Sequence, residues 1–269
     1  MTATLSPVRA GVGELLREWR QRRRRSQLDL ATEAEVSARH LSFVETGRSK
    51  PSRELVLHLA EHLDVPLRER NTLLLAAGYA PVYRERSLED EEMDPVRAAL
   101  DRILAGHEPY PAVIVDRRWD LVSANGAALR LFTAGVALHL LEAPINVYRL
   151  GLHPEGLAPR VRNMGEYSHH LLSRLQREVV LTGDPDLEAL LEEVRGYPDL
   201  THPSRVDADP ARMLFLPMEF TTVDGEELSF FSTLATFGTA LDVTVAELSI
   251  EAFFPADDHT RTLLHQPSG

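Results

Sequence analysis

The sequence predicts a two-domain chain: an all-α head of five short helices, followed by an α+β body carrying an antiparallel sheet. Three observations predict it. Apolar residues recur at the helical period from Val12 to Gly78, then give way after Gly106 to short β-type runs. The charge divides in the same way. Residues 1–83 hold 13 basic and 10 acidic side chains, whereas the remainder holds 16 and 31 within a net charge of -12. The length, 269 residues at 43% hydrophobic, suffices for two cores.

Composition also excludes whole classes. Without cysteine there is no disulfide framework, thiolate metal site or cysteine nucleophile. No apolar run approaches the roughly 20 residues that span a bilayer. The opening MTATLSPVRAGVGELL lacks a basic segment followed by an apolar one. The expectation is a cytoplasmic protein with no membrane partner.

In the head, Val12, Leu15, Leu16 and Trp19 line one face of a first helix. Arg22 to Arg25 follow, readable as a phosphate clamp or as a solvated helix end. Ser26 opens a second helix, with Asp29 completing a variant capping box. After a break at Glu35-Val36, Ser37 opens a third helix, and Gly47 fits its C′ position. Pro51-Ser52 starts a fourth with Leu55, Val56, Leu59 and Leu63 inward. Pro66 starts a fifth that ends at Gly78.

Residues 84–94, RERSLEDEEMD, read as a charged linker. Pro95 opens a helix with Val96, Leu100, Ile103 and Leu104 on one face. Runs 112–116 and 119–124 read as strands, and Asn125 caps a short helix through Phe132. Residues 145–195 read as mostly helical. Residues 213–221 form a strand candidate that Pro217 confines to an edge or bulge. Asp224-Gly225 is a hairpin turn, from which ELSFFSTLATF returns, and ELSIEAFF (247–254) adds a further strand. The expected boundaries are head 1–83, linker 84–94, body 95–259 and tail 260–269.

Residues 26–51, SQLDLATEAEVSARHLSFVETGRSKP, carry the chemistry. Two short helices lie about four residues apart, the second opened by a serine and closed by a glycine. That is a helix-turn-helix arrangement, whose second helix enters the DNA major groove. Leu30, Leu41 and Val44 would form the core between the helices, with Ala31 and Val36 at the crossing. Ala38, Arg39, Ser42 and Phe43 are left outward. The register resembles the XRE (Cro/C1-type) family, in Ser26, Gln27, Leu30 and Ala31 at the start and Glu45, Gly47 and Pro51 at the finish. The resemblance implies that Gln27 holds a phosphate and that Ser37, Ala38, Arg39, Ser42 and Phe43 face base edges. Arg48, Ser49 and Lys50 would run along the backbone. The Arg39 fork suits guanine O6 and N7.

His58, Glu61 and His62 match the short H-x-x-E-H zinc pattern, but they fall inside the fourth helix, whose inward face is leucine. No phosphate-loop or nucleophile-elbow motif occurs, so the expectation is a non-enzyme that needs no cofactor or metal. Residues 95–259 resemble the C-terminal domain of MmyB-like transcription regulators, in YPAVIVDRRWDLVSAN, INVYRLGLHPEGLAPRVRNMGEYSHHLLSRLQRE and SFFSTLATFGTALDVTVAELSIEAFFPAD. Met164 stands where many relatives carry Trp, and Ala240 where many carry Pro. The resemblance implies a PAS-like fold that binds a small apolar molecule, such as a fatty-acyl compound. Met164, Leu171, Leu175, Phe215, Met218, Phe230 and Phe237 are the candidates to line its pocket. Arg149, His153 and Arg160 are candidates for its polar end. Phe230 and Phe231 cannot share a face, because strand side chains alternate. The reading is a DNA-binding regulator, a homodimer on a pseudo-palindrome, that responds to a ligand. The alternatives are a constitutive regulator whose body only dimerises and a zinc hydrolase built on His58, Glu61 and His62.

Overall fold

The computed structural model describes residues 10–198, 200 and 216–266. It divides into two compact units, Met1–Arg86 with Ala240–Val243 and Ser87–Thr239 with Thr244–Gly269. Among the described residues no helix is long and apolar enough to cross a membrane.

The first unit holds α1 (Val12–Arg22), α2 (Gln27–Glu33), α3 (Ala38–Glu45), α4 (Arg53–His62) and α5 (Leu67–Ala76). Each boundary has a local cause. Ser26 Oγ accepts from the Asp29 N–H at 3.0 Å while Asp29 Oδ2 accepts from the Ser26 N–H at 2.9 Å, a closed capping box. Ser37 and Ser52 cap α3 and α4 in the same way with one bond each. The turn between α2 and α3 places Glu35 at φ 51, and α3 ends with Gly47 at φ 70. Leu16, Trp19, Leu30, Leu41, Val44, Val56, Leu59 and Leu73 are buried together in one core. Ala31 is buried with them and Val36 packs against them, as the crossing requires. Residues 240–243 group with this unit, where Asp242 accepts from Arg86 Nη1 at 3.0 Å.

The second unit begins with a 3-10 turn, Glu91–Met93, and α6 (Asp94–Gly106). Its sheet comprises β1 (Ala112–Val115), β2 (Leu121–Ala124), β3 (Met218–Thr221), β4 (Glu227–Thr236) and β5 (Ser249–Pro255), in the order β2-β1-β5-β4-β3. Every neighbouring pair is antiparallel. The helices are α7 (Gly126–Thr133), α8 (Val147–Leu152), α9 (Met164–Thr182), α10 (Pro185–Arg195), α11 (Val243–Ala246) and α12 (Asp258–His265).

Alternation sends the sheet's side chains to two different cores. Val113, Val115, Met218, Leu228, Phe230 and Phe253 pack with Phe132, Leu150, Leu175 and Leu190 from the helices. Ala112, Ile114 and Ile250 pack with Leu100 and Leu104 of α6 on the other face. Both faces of β1 are covered, so its four residues are all buried. Phe230 is fully buried, whereas Phe231 turns to the opposite face and stacks on Phe254 at 5.3 Å.

Two expectations need correction. Residues 84–94 are not wholly a solvated linker, because Met93 is buried and Leu88 packs against the α6 core. Residues 260–266 are not a tail. Thr260 is buried and accepts from the Ser229 N–H at 2.9 Å, and Leu263 and Leu264 of α12 pack against the main core.

The approach of α1 to α3 depends on Gly13. A Cβ there would lie 2.1 Å from the Val44 carbonyl oxygen and 2.9 Å from that of Glu45. Gly13→Ala should therefore cost about 1–3 kcal/mol or more, because a well-packed contact must open. Hydrogen exchange of the full chain should show faster exchange in α1 and α3 with β1 and β5 unchanged. Unaltered protection of α3 would contradict this account of the contact.

Candidate nucleic-acid interface and apolar cavity

In the first unit the buried Glu45 carboxylate gathers three donors. Arg20 Nε and Nη2 donate to its oxygens at 2.7 and 2.8 Å, and Gln27 Nε2 donates to Oε2 at 2.8 Å. The hydrogen bond to Glu45 raises the Arg20 pKa above its ordinary value. Gln27, the first residue of α2, is thereby held against α3 while remaining half-exposed.

With Leu41 and Val44 inward, α3 presents Ser37, Ala38 and Arg39 to solvent, and Ser42 and Phe43 half-buried beside them. The Arg39 guanidinium lies over the Phe43 ring, 5.4 Å from its centroid, an arrangement that limits the side chain's freedom. The loop after α3 is closed by the N–H groups of Arg48 and Ser49, both donating to the Phe43 carbonyl at 2.8 and 3.1 Å. Arg48 and Lys50 are exposed, Ser49 is half-buried, and Lys50 Nζ sits 5.3 Å from the Tyr79 ring centroid. The arginine run is partly structural. Arg23 donates to the Leu63 and Asp64 carbonyls, each at 2.9 Å, and Arg25 pairs with Glu33.

His58, Glu61 and His62 do not assemble a ligand set. His58 Nε2 donates to the Ala34 carbonyl at 2.8 Å, tying α4 to the end of α2. Among the described residues the group with metal-ligand spacing is His139, His153 and Glu155 at the surface of the second unit. There His153 Nδ1 accepts from the Glu155 N–H at 3.1 Å, which leaves the ring proton on Nε2.

Between one face of the sheet and α7, α8 and α9 lies an apolar cavity. Its volume is about 80 Å³. Val113, Leu121, Ala124, Met218 and Phe253 supply the sheet wall, and Phe132, Val147, Leu150, Tyr167 and Leu171 supply much of the helical one. The described sheet residues that line it share one face, as the strand registers require.

Of the residues expected here, Leu171 and Met218 line the cavity. Leu175 and Phe230 are fully buried in the core rather than on the cavity wall, and Met164 packs at that core's margin. Phe237 is corrected outright: it packs against the α6 cluster on the sheet's other face. Phe215 lies outside the described residues. Arg149, His153 and Arg160 do not line the cavity either. Arg149 pairs with Glu193 at 2.7 Å, and the His153 ring packs on Tyr197 at 5.0 Å. Arg160 lies over Phe220 at 4.9 Å with both Nη atoms buried and unpartnered among the described residues, and burial lowers its pKa.

The cavity's polar corner is instead Trp119, Tyr148, Arg174 and Glu251. The Arg174 guanidinium lies 4.2 Å from the Trp119 ring centroid. Its Nε stands 3.7 Å from Glu178 Oε1 and its Nη1 3.5 Å from Glu251 Oε1. Trp119 Nε1 donates to Glu178 Oε2 at 2.7 Å, and Ser232 Oγ donates to Glu251 Oε1 at 2.8 Å. Burial pushes the Glu178 carboxyl up, opposed by the Trp119 hydrogen bond and by Arg174. Burial also pushes the Tyr148 phenol far above its ordinary range. The sequence contains one signal for this corner. Glu251 shares strand parity with Phe253, which places an ionisable side chain on an inward-facing row.

Residues 96–266 match the family model of the MmyB-like transcription regulator ligand binding domain, and residues 12–73 match that of a helix-turn-helix domain. The transcriptional regulator ClgR of Mycobacterium tuberculosis, from strains CDC 1551 / Oshkosh and ATCC 25618 / H37Rv, is 35% identical over 79 residues. That stretch covers 29% of this chain and 68% of ClgR. A solved structure of an RNA-binding light-oxygen-voltage receptor aligns at 13% identity over 94% of this chain and 62% of that one. The TM-score of that alignment is 0.27.

Proposed function

Because the chain belongs to the MmyB-like transcription regulators, we propose that it is a one-component switch: a DNA-binding transcriptional regulator whose second unit takes up an apolar, acyl-type molecule and thereby changes operator affinity. The cavity between the sheet and α7–α9 is the observation that carries the ligand reading. A dedicated regulator needs only the first unit to reach DNA. The second unit keeps unfilled space in its core, which costs packing energy unless something occupies it.

Placement supports the following roles. Arg39 reads a base from the exposed face of α3, with Ser37, Ala38, Ser42 and Phe43 beside it. Gln27 positions a phosphate, and Arg48, Ser49 and Lys50 follow the backbone. The protein works in the cytoplasm, where its operator is. It acts as a homodimer, because one helix-turn-helix reads only a half-site. The ligand shifts operator affinity only by its differential affinity for the two DNA-binding states.

Arg39→Ala should weaken binding to the cognate operator by about 1–3 kcal/mol and relax preference at one base pair. Gln27→Ala should weaken cognate and random DNA alike. Equal loss on both DNAs for Arg39→Ala would remove its role as a base reader.

The ligand reading is tested with lipid-stripped protein and an operator selected by the full chain. A long-chain acyl probe should be taken up, raise the melting temperature and change operator affinity. Uptake with unchanged operator affinity would leave a constitutive regulator with a structural lipid. Failure to take up any acyl probe would remove the ligand class.

A further inference from the structure

Resting on the ligand reading above, we propose that the cavity selects an uncharged acyl compound, one presenting the carbonyl oxygen of an ester or amide, and discriminates against the free carboxylic acid. The selectivity resides in the polar corner. Two groups there, Tyr148 Oη and Arg174 Nη2, are buried and have no hydrogen-bond partner among the described residues. They belong to one corner, because the Trp119 ring contacts both side chains, Tyr148 at 5.1 Å and the Arg174 guanidinium at 4.2 Å. A buried hydroxyl and a buried guanidinium N–H without partners are costly, and both are satisfied by an acceptor oxygen entering from the cavity.

The charge of the corner decides which acceptor. Arg174 already faces two carboxylates, Glu178 at 3.7 Å and Glu251 at 3.5 Å. Glu251 is held facing the guanidinium by the Ser232 hydroxyl, and Glu178 by the Trp119 indole N–H. The cation is therefore neutralised before any ligand arrives. Even with a proton on Glu178, a ligand carboxylate would be a second anion opposite one guanidinium in an apolar enclosure. Such a charge is expensive to bury without its own counter-ion. A carbonyl oxygen accepts the same hydrogen bonds and brings no charge. Aliphatic and aromatic side chains line most of the remaining wall, so the chain beyond the carbonyl is recognised only by its apolar surface.

The test uses four probes of matched chain on the lipid-stripped full chain at neutral pH: methyl laurate, lauramide, laurate and dodecane. Methyl laurate and lauramide should each bind about tenfold or more tightly than laurate. Tyr148→Phe should weaken methyl laurate about five- to tenfold while leaving dodecane unchanged. Glu251→Gln removes one of the anions facing Arg174 and should narrow the gap between laurate and methyl laurate. Melting of each ligand-free variant shows that it is folded. Laurate binding as tightly as its ester, or an unchanged gap in folded Glu251→Gln, would overturn the headgroup assignment while leaving an acyl site in place. No uptake of any of the four would overturn both that assignment and the ligand reading on which it rests.

Discussion

The Glu45 carboxylate sits where α1, α2 and α3 meet, with its side chain 1% exposed, and the geometry of the DNA-facing surface depends on it. Arg20 from α1 and Gln27 from α2 both donate to it. Taking such charges out of water costs several kcal/mol, and their mutual attraction returns that only when every lone pair is used. Here the acceptor is served from two sides, by groups fixed on separate helices. The pairing is therefore better understood as a device for setting the angle of α3 than as a source of stability. Close contact of α1 with the end of α3 through Gly13 supports the same geometry. Because Gln27 is both a hydrogen-bond partner of Glu45 and the half-exposed start of α2, the N-terminus of α2 and the placement of α3 share one anchor.

The second unit solves a different problem. Its sheet buries both faces, one against α6 and one against α7–α10. The α6 side is closed by Leu100, Leu104, Ile114 and Ile250, whereas the other side leaves a gap lined by Trp119, Tyr148 and Arg174. A core that only held the unit together would place apolar groups in that corner, since a buried ion pair is often no better than a well-packed hydrophobic replacement. Retaining Arg174, Glu178 and Glu251 beneath an apolar enclosure is a cost that the proposed recognition of a ligand would offset.

Much of the first unit was legible from local chemistry. Ser26 with Asp29, Ser37, Gly47 and the spacing of Leu30, Leu41 and Val44 each act within a few residues, so their consequences can be read without the fold. The strands were legible for the same reason, as was the opposition of Phe230 and Phe231. Residues lining the cavity were harder. Inward orientation of Leu175 and Phe230 follows from periodicity, but whether an inward residue meets a neighbour or a gap is a property of the whole core. Phe237 follows β4, outside the strand that fixes Phe230's face, and it packs on the opposite side. Arg174 and Glu178 look like a solvated i, i+4 pair, yet they share the stripe of Tyr167, Leu171 and Leu175, and α9 turns that stripe toward Trp119. Leu88 and Met93 look like linker because an isolated apolar residue in a charged run gives no periodic signal, and the adjacent Leu263 and Leu264 of α12 give none either.

Thermodynamic linkage provides the most direct test of a regulator whose second unit controls its first. The affinity of the full chain for a long-chain acyl probe should be measured by calorimetry, once on the free protein and once saturated with operator DNA. If the ligand favours one DNA-binding state, the two affinities must differ by the factor by which the ligand changes operator affinity, on the order of 5–150-fold for coupled sites. The account predicts such a difference, equal in size in both directions. Identical acyl affinities with and without operator would contradict it.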